Sequence, residues 1–185
     1  RPLVRPGDRA EVDRLHAVLD EFERDVEPLI GVSAPRTREV LVAQIIESQG
    51  VDIVMMQETY SAGDFIAAEL GYYFATTVDW DYLNQGANIS VLSRYPIEEV
   101  YVEKDSPFMT VAAKIAISET QHLYAMSNWY GMDQFPAVFA FNESRFAESD
   151  TTPTVFAGDF NAVPHTDGGD SPASPTMLGA GFTDA

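Results

Sequence analysis

The sequence predicts an α/β fold, in which helices pack against the faces of a buried sheet. A helical pattern over residues 38–49 ends at Gly50 and leads directly into the short apolar run 51–56. A helix, a glycine and a buried strand in this order are typical of a layered α/β domain. Further short apolar runs follow along the chain, with no internal repeat and no linker between them. These observations predict a single domain over residues 1–185.

Three segments have the periodicity of helices, with apolar residues recurring every three or four positions. They are residues 8–30, 38–49 and 137–147. The inward side chains of the second helix are expected to be Val42, Ile45 and Ile46.

Five short segments are predicted strands, because they are apolar or alternate between apolar and polar residues. They are residues 51–56, 89–92, 111–117, 123–130 and 154–157. In residues 111–117 the alternation places Ala113, Ile115 and Ile117 on one face. Residues 164–175 are rich in Pro, Gly, Ser and Asp, which predicts a loop.

Composition and charge limit the function classes. The chain has no cysteine, which excludes disulfides, thiolate metal sites and a cysteine nucleophile. Its 11 Lys and Arg against 29 Asp and Glu give a net charge of −18, which disfavours nonspecific nucleic-acid binding. No apolar run approaches the ~18 residues of a transmembrane helix, so we expect a soluble protein. The sequence does not distinguish the cytoplasm from secretion and leaves the oligomeric state open.

Two polar stretches directly follow predicted buried strands, where α/β folds commonly form ligand sites. The first contains Gln57 and Glu58, and the second is Gly158-Asp159-Phe160-Asn161. Asp159 and Asn161 are two positions apart, so an extended backbone directs both side chains to one face. Glu58 is a hard oxygen ligand of the kind that Mg²⁺ prefers. Zinc is disfavoured because the histidines lack ligand spacing. They are His16, His122 and His165.

Each candidate taken alone also has a purely structural interpretation. A Gly-Asp pair is most often a turn, and an acid at a strand end, such as Glu58, is most often solvated. His165, in the loop after Asn161, is either a solvated histidine or a phosphate contact. The acidic and aromatic segment 79–82 is either an exposed connection or a substrate-facing loop.

Taken together, four blocks of the sequence resemble the endonuclease/exonuclease/phosphatase superfamily. They follow the family's order and comprise residues 51–58, 88–97, 155–164 and 181–185. The Gly-Asp-Phe-Asn block with an upstream Gln-Glu pair is the most specific part of the resemblance, which covers about residues 36–185. Residues 1–35 show no such resemblance and are expected to form a variable helical segment.

The resemblance implies a four-layer αββα sandwich, two mixed β-sheets flanked by helices, that hydrolyses phosphate esters with Mg²⁺ or, in its place, Mn²⁺. Glu58 matches the family's metal-binding glutamate. Asp159 matches the aspartate that orients or deprotonates the attacking water, and Asn161 matches the asparagine that holds the phosphate. These roles agree with the chemistry, because a cation and an amide donor stabilise a charged phosphoryl transition state and a carboxylate can act as base.

The sequence also departs from the family pattern. It lacks the family's first strand, with its metal-fixing asparagine, and the Asp-His pair near the family's C-terminus. We expect these segments to belong to a longer protein; the alternative is an enzyme descendant that has lost catalysis. Where the family often has Asn-x-His, this chain has Asn128-Trp129-Tyr130. Asn128 and Tyr130 share a strand face and are, with His165, candidate substrate-binding residues.

We therefore expect a Mg²⁺-dependent phosphoesterase that acts on a phosphodiester or phosphomonoester. A small molecule or a lipid head group is favoured as substrate over nonspecific DNA. The alternative is a catalytically inactive family member that serves as a binding domain. If the resemblance holds, the Glu58 and Asp159 carboxyl groups and the Asn161 amide should converge within roughly 10 Å, a span that hydrated Mg²⁺ and a phosphate can bridge.

Overall fold

The structure, a computed structural model, describes residues 37–59, 62–77, 88–103, 108–131, 134–146, 152–162, 168–169 and 171–183. The predicted helix at residues 8–30, the segment 79–82 and His165 lie outside these ranges. Within them the helices are α1 (Thr37–Gln49), α2 (Gly63–Leu70), α3 (Phe135–Phe146) and α4 (Ala173–Gly179). The strands are β1 (Ile53–Met56), β2 (Tyr73–Thr76), β3 (Ser90–Ser93), β4 (Ile97–Glu103), β5 (Met109–Ala116), β6 (His122–Trp129) and β7 (Thr154–Asp159).

The described strands form two sheets. In the first sheet β3 lies between β1 and β2 and pairs antiparallel with both. The second sheet has the order β4-β5-β6-β7, in which β7 runs parallel to β6 and the other pairs are antiparallel. Parallel neighbours need a long crossover connection, and α3 lies in the one between β6 and β7.

The two sheets pack face to face over an apolar core. In β5 the side chains of Val111, Ala113 and Ile115 belong to this core, whereas Ala112 belongs to a separate cluster with side chains of β6. Ile117, just beyond β5, packs against the same core. The predicted alternation of this strand is therefore confirmed.

Helices cover the outer face of each sheet. α1 and α2 pack on β3 of the first sheet through a cluster of buried side chains: Ala43, Ile46, Ile66, Ala67 and Leu92. α3 and α4 cover the second sheet through a second, largely aromatic cluster: Phe108, Tyr130, Phe135, Val138 and Ala173. The predicted four-layer αββα arrangement is confirmed. Of the three side chains expected to face inward on α1, Ile46 belongs to the cluster under α1 and α2 and Val42 packs against it, whereas Ile45 is partly buried and is not part of that cluster.

Several element boundaries differ from those predicted. α4 begins at Ala173, inside the segment predicted as a loop, and Pro175 lies in its first turn, where a helix does not use the N–H group. β1 begins at Ile53 and is partly buried, because it pairs only with β3 in the described sheet. α2, β2 and β4 were not predicted. β2 has only four residues, too few to show a period, and β4 carries charged residues at the edge of its sheet.

None of the helices in the described part of the chain has the length and apolarity needed to span a bilayer.

Candidate active site

The strand ends that carry the candidate residues lie close together, although they belong to different sheets. Cα atoms of β1 and β7 approach to within 8 Å. Gln57 Nε2 donates a hydrogen bond to Ser127 Oγ on β6 at 2.9 Å, and this hydroxyl donates to Met56 O at 3.2 Å. Ser127 lies in register with Ala157, two positions before Asp159. Hydrogen bonds therefore hold the end of β1 against β6, next to the residues of β7 that precede the Gly-Asp-Phe-Asn turn.

Glu58 occupies a turn between two anchored neighbours. Its φ of 53° lies in the left-handed region, where a residue with a side chain is strained by about 1–3 kcal/mol. On one side Gln57 is bonded to Ser127. On the other side Thr59 donates its backbone N–H to Asn88 O at 3.0 Å and its hydroxyl to the same carbonyl at 3.3 Å. Glu58 itself is exposed, so its carboxylate is open to a solvated cation.

Gly158 allows β7 to approach β6 closely. Its φ is 153°, and a Cβ atom at this position would lie 2.1 Å from Asn128 O, which is far inside van der Waals contact. The Asn128 side chain holds the same stretch of β7, because its Nδ2 donates to Ala157 O at 3.0 Å. The glycine that precedes Asp159 is thus required by the close approach of two backbones.

Asp159 and Asn161 form a tight turn at the end of β7. The Asn161 N–H donates to Asp159 Oδ1 at 2.9 Å, and Asn161 Nδ2 donates to Tyr130 O at 2.8 Å. Asn161 has a φ of 46°, so the predicted extended backbone ends before this residue. Asp159 is paired in register with Trp129, which packs against the core between the sheets, so Asp159 lies on the inter-sheet face. Phe160 packs on the other side, against the cluster under α3 and α4.

Asn128 lies in a buried polar network that joins β5, β6, β7 and α3. Its Oδ1 accepts hydrogen bonds from Thr110 Oγ1 at 2.5 Å and from Asn142 Nδ2 at 2.9 Å, and its Nδ2 donates to Met126 O and Ala157 O. All three side chains of the network are fully buried. Such a network, with its groups paired, holds strands rigidly in place. Both the oxygen and the nitrogen of the Asn128 amide thus already have hydrogen-bond partners inside the protein. The role of Asn128 in binding substrate stays a prediction.

Tyr130 is fully buried in the aromatic cluster beneath the turn. Its ring centroid lies 5.4 Å from that of Phe160 and 5.7 Å from that of Phe135. Its hydroxyl has no hydrogen-bond partner among the described residues. Burial raises the pKa of the Tyr130 hydroxyl well above its ordinary value, and the negative charge of Asp159 raises it further. The hydroxyl therefore keeps its proton at neutral pH, and its predicted contact with substrate stays a prediction.

Tyr130→Phe is expected to leave the melting temperature unchanged or to raise it, because an unpaired buried polar group costs about 1–3 kcal/mol. Since the pKa of Tyr130 is raised on folding, the wild type should lose stability as the pH rises above about 10, where tyrosine in the unfolded chain ionises. Thermal melts at pH 8 and about pH 11 measure both effects. A smaller alkaline loss in Tyr130→Phe than in wild type is expected, and an equal loss would contradict this account.

The carboxylates at the two strand ends fit a hydrated magnesium ion better than an enclosed metal site. Within the described ranges no three His, Cys, Asp or Glu side chains lie close enough to hold a metal among them. Mg²⁺ commonly keeps several waters and binds one or two carboxylates plus substrate oxygens, so a largely protein-built cage is not required. The exposed Glu58 carboxylate is suited to that kind of binding.

Local sequence patterns do not indicate Ser127, Thr110 or Asn142 as functional residues. Each is a polar residue that is fully buried in the structure. A polar residue on the inward face of a strand is the signal that points to such groups, because a buried hydroxyl or amide needs a partner. Their partners are distant in sequence, as with the 70 positions that separate Gln57 from Ser127.

The sequence matches the model of a known protein family. Residues 31–182 match the family model described as the endonuclease/exonuclease/phosphatase family. No curated protein matches the sequence.

Solved structures similar to the chain have low sequence identity. TDP2 from C. elegans is 17% identical with a TM-score of 0.56, over 71% of this chain and 44% of that one. ANGEL2, described as a 2',3'-cyclic phosphatase, is 14% identical with a TM-score of 0.59, over 86% and 53%. An AP endonuclease from Archaeoglobus fulgidus is 17% identical with a TM-score of 0.50, over 72% and 56%.

The chain thus spans about half the length of these structures, and at such identities they establish the fold alone. The family model, in contrast, matches well over half of the chain. The chain therefore belongs to the endonuclease/exonuclease/phosphatase family.

Proposed function

We propose that the protein hydrolyses phosphate esters with the help of Mg²⁺, for which Mn²⁺ can substitute. The observation that supports the proposal is the hydrogen bonding of the end of β1 to Ser127 on β6, whose neighbour in register is Ala157 of β7. Glu58 directly follows this end of β1, and Asp159 lies two positions beyond Ala157. Membership of the family supports the same chemistry. So do structural neighbours described as an AP endonuclease and a 2',3'-cyclic phosphatase.

The proposed roles follow from the chemistry of each side chain. Glu58 would hold the cation, which when bound supplies positive charge to the phosphate oxygens. Asp159 would orient the attacking water and accept its proton through Oδ2, while Oδ1 accepts the Asn161 N–H. Asn161 would donate an amide hydrogen bond to a phosphate oxygen, where negative charge grows in the transition state.

The net charge of −18 favours a small phosphodiester, a phosphomonoester or a lipid head group over nonspecific DNA. The alternative is a catalytically inactive binding domain. Assay of the full-length protein on nitrophenyl phosphate, bis(nitrophenyl) phosphate, a phosphoinositide and duplex DNA separates these substrate classes. Hydrolysis of any of them supports an enzyme, and binding without turnover supports the alternative.

Glu58→Gln tests the metal role. The substitution keeps the size of the side chain and removes the negative charge, so we expect weaker Mg²⁺ binding and lower activity at low metal concentration. Part of the activity should return when Mg²⁺ is raised, because only the affinity for the ion is impaired. Rates measured over a Mg²⁺ titration check this. Glu47→Gln, an exposed acid on α1, is the control and should behave as wild type. An unchanged Mg²⁺ dependence in Glu58→Gln would remove Glu58 from the metal site.

A further inference from the structure

Gln57 and Ser127 form a polar bridge between the two sheets. The interior between the sheets is lined by apolar side chains such as Val91, Val111 and Ile115. At one end of this interior, Ser127 Oγ accepts from Gln57 Nε2 and donates to Met56 O. Ser127 is fully buried. A single hydroxyl on β6 is thus bonded to both the backbone and the side chain at the end of β1.

This bridge links the two chain segments that carry the candidate carboxylates. Glu58 directly follows Gln57, and its strained φ of 53° persists only if the flanking residues hold it. On the other side of the bridge Ser127 is in register with Ala157, two positions before Asp159. The Glu58 turn and the Asp159 turn are therefore connected by one serine hydroxyl and two residues of β7.

We propose that Gln57 and Ser127 are positioning residues, whose hydrogen bonds fix the Glu58 carboxylate relative to Asp159. The inference rests on the proposed function, since it assumes that Glu58 holds the cation. Neither side chain needs to touch the cation or the substrate. Groups that orient a metal ligand from behind typically change metal affinity or activity about 10–100-fold when removed.

The test compares Gln57→Leu, Ser127→Ala and the double variant by isothermal titration calorimetry with Mg²⁺, in the absence of substrate. Each single variant is expected to raise the Mg²⁺ dissociation constant about 10-fold. The double variant should be no worse than the weaker-binding single variant, because both substitutions break the same bridge and their effects do not add. At saturating Mg²⁺ the variants should recover most of the wild-type kcat.

Tyr72→Phe is the matched control. Tyr72 Oη donates to Val51 O at 2.6 Å, just before the other end of β1, so its loss should lower the melting temperature without changing the Mg²⁺ dissociation constant. If Gln57→Leu and Ser127→Ala change Mg²⁺ binding no more than Tyr72→Phe does, the bridge has only a structural role. This inference then fails, while the proposed function is unaffected. If the wild type binds no Mg²⁺, the proposed function fails and this inference falls with it.

Discussion

Asp159→Asn is expected to lower the rate of phosphate-ester hydrolysis by about 10²–10⁴-fold, the usual contribution of a general base. The asparagine keeps an oxygen that accepts the Asn161 N–H, so the turn at the end of β7 should survive. The variant should therefore melt within a few degrees of wild type. Activity at saturating Mg²⁺ and a thermal melt measure the two properties on the same preparation.

Comparing Asp159→Ala with Asp159→Asn distinguishes the catalytic role of the Asp159 charge from the role of its side chain in stabilising the turn. Alanine removes both the base and the acceptor for the Asn161 N–H, so this variant should lose stability as well as activity. Unlike Glu58→Gln, neither Asp159 variant should recover at high Mg²⁺, because the defect concerns the water and not the ion. If Asp159→Asn keeps full activity on every substrate that wild type cleaves, the role assigned to Asp159 is wrong.

Gly158→Ala is expected to destabilise the fold by about 3 kcal/mol or more, the range associated with severe steric and backbone strain. The added methyl group would lie 2.1 Å from Asn128 O and would force β7 away from β6. For a chain of this size such a loss lowers the melting temperature by roughly 6–12 °C. Urea unfolding followed by circular dichroism gives the free energy directly.

Alanine substitutions at two other glycines distinguish steric overlap from backbone strain as the cause of this loss of stability. Gly71 has a positive φ of 66° but open space around its Cβ position, so Gly71→Ala should cost only about 1 kcal/mol of backbone strain. Gly179 has neither a positive φ nor a close neighbour, so Gly179→Ala should change stability by less than about 0.5 kcal/mol. A Gly158→Ala protein as stable as Gly71→Ala would contradict the close approach of β7 to β6.

The elements of the layered fold were predictable from the sequence where a segment has a clear side-chain periodicity of its own. The helix over residues 38–49 and the alternation in residues 111–117 follow from side-chain periodicity, and both are present. α2 was not predicted because it has only eight residues. β4 was missed because an edge strand exposes one side of its backbone and tolerates acids such as Glu98 and Glu99. In these cases tertiary packing, not local pattern, decides the structure.

The candidate site was predictable only in part, because its framework is built from distant residues. The motif pointed to Glu58, Asp159 and Asn161, but no local pattern indicates that Gln57 meets Ser127 across the two sheets. Period-two geometry placed Asn128 and Tyr130 on one face, and both do face α3. Periodicity alone does not say what covers each face of a strand: both faces of β6 are buried, and this one lies against α3 and not against the other sheet.

Metal-dependent hydrolysis of a phosphate ester at the junction of β1 and β7 is tested most directly by one titration of the wild-type protein. Hydrolysis of the best substrate is measured in EDTA and then with increasing Mg²⁺, with Asp159→Asn in parallel. We expect no hydrolysis by wild type in EDTA, a saturable recovery with Mg²⁺, and a rate at least about 10²-fold lower for Asp159→Asn at every added Mg²⁺ concentration. Equal wild-type rates with and without Mg²⁺, or equal rates for the two proteins, would contradict it.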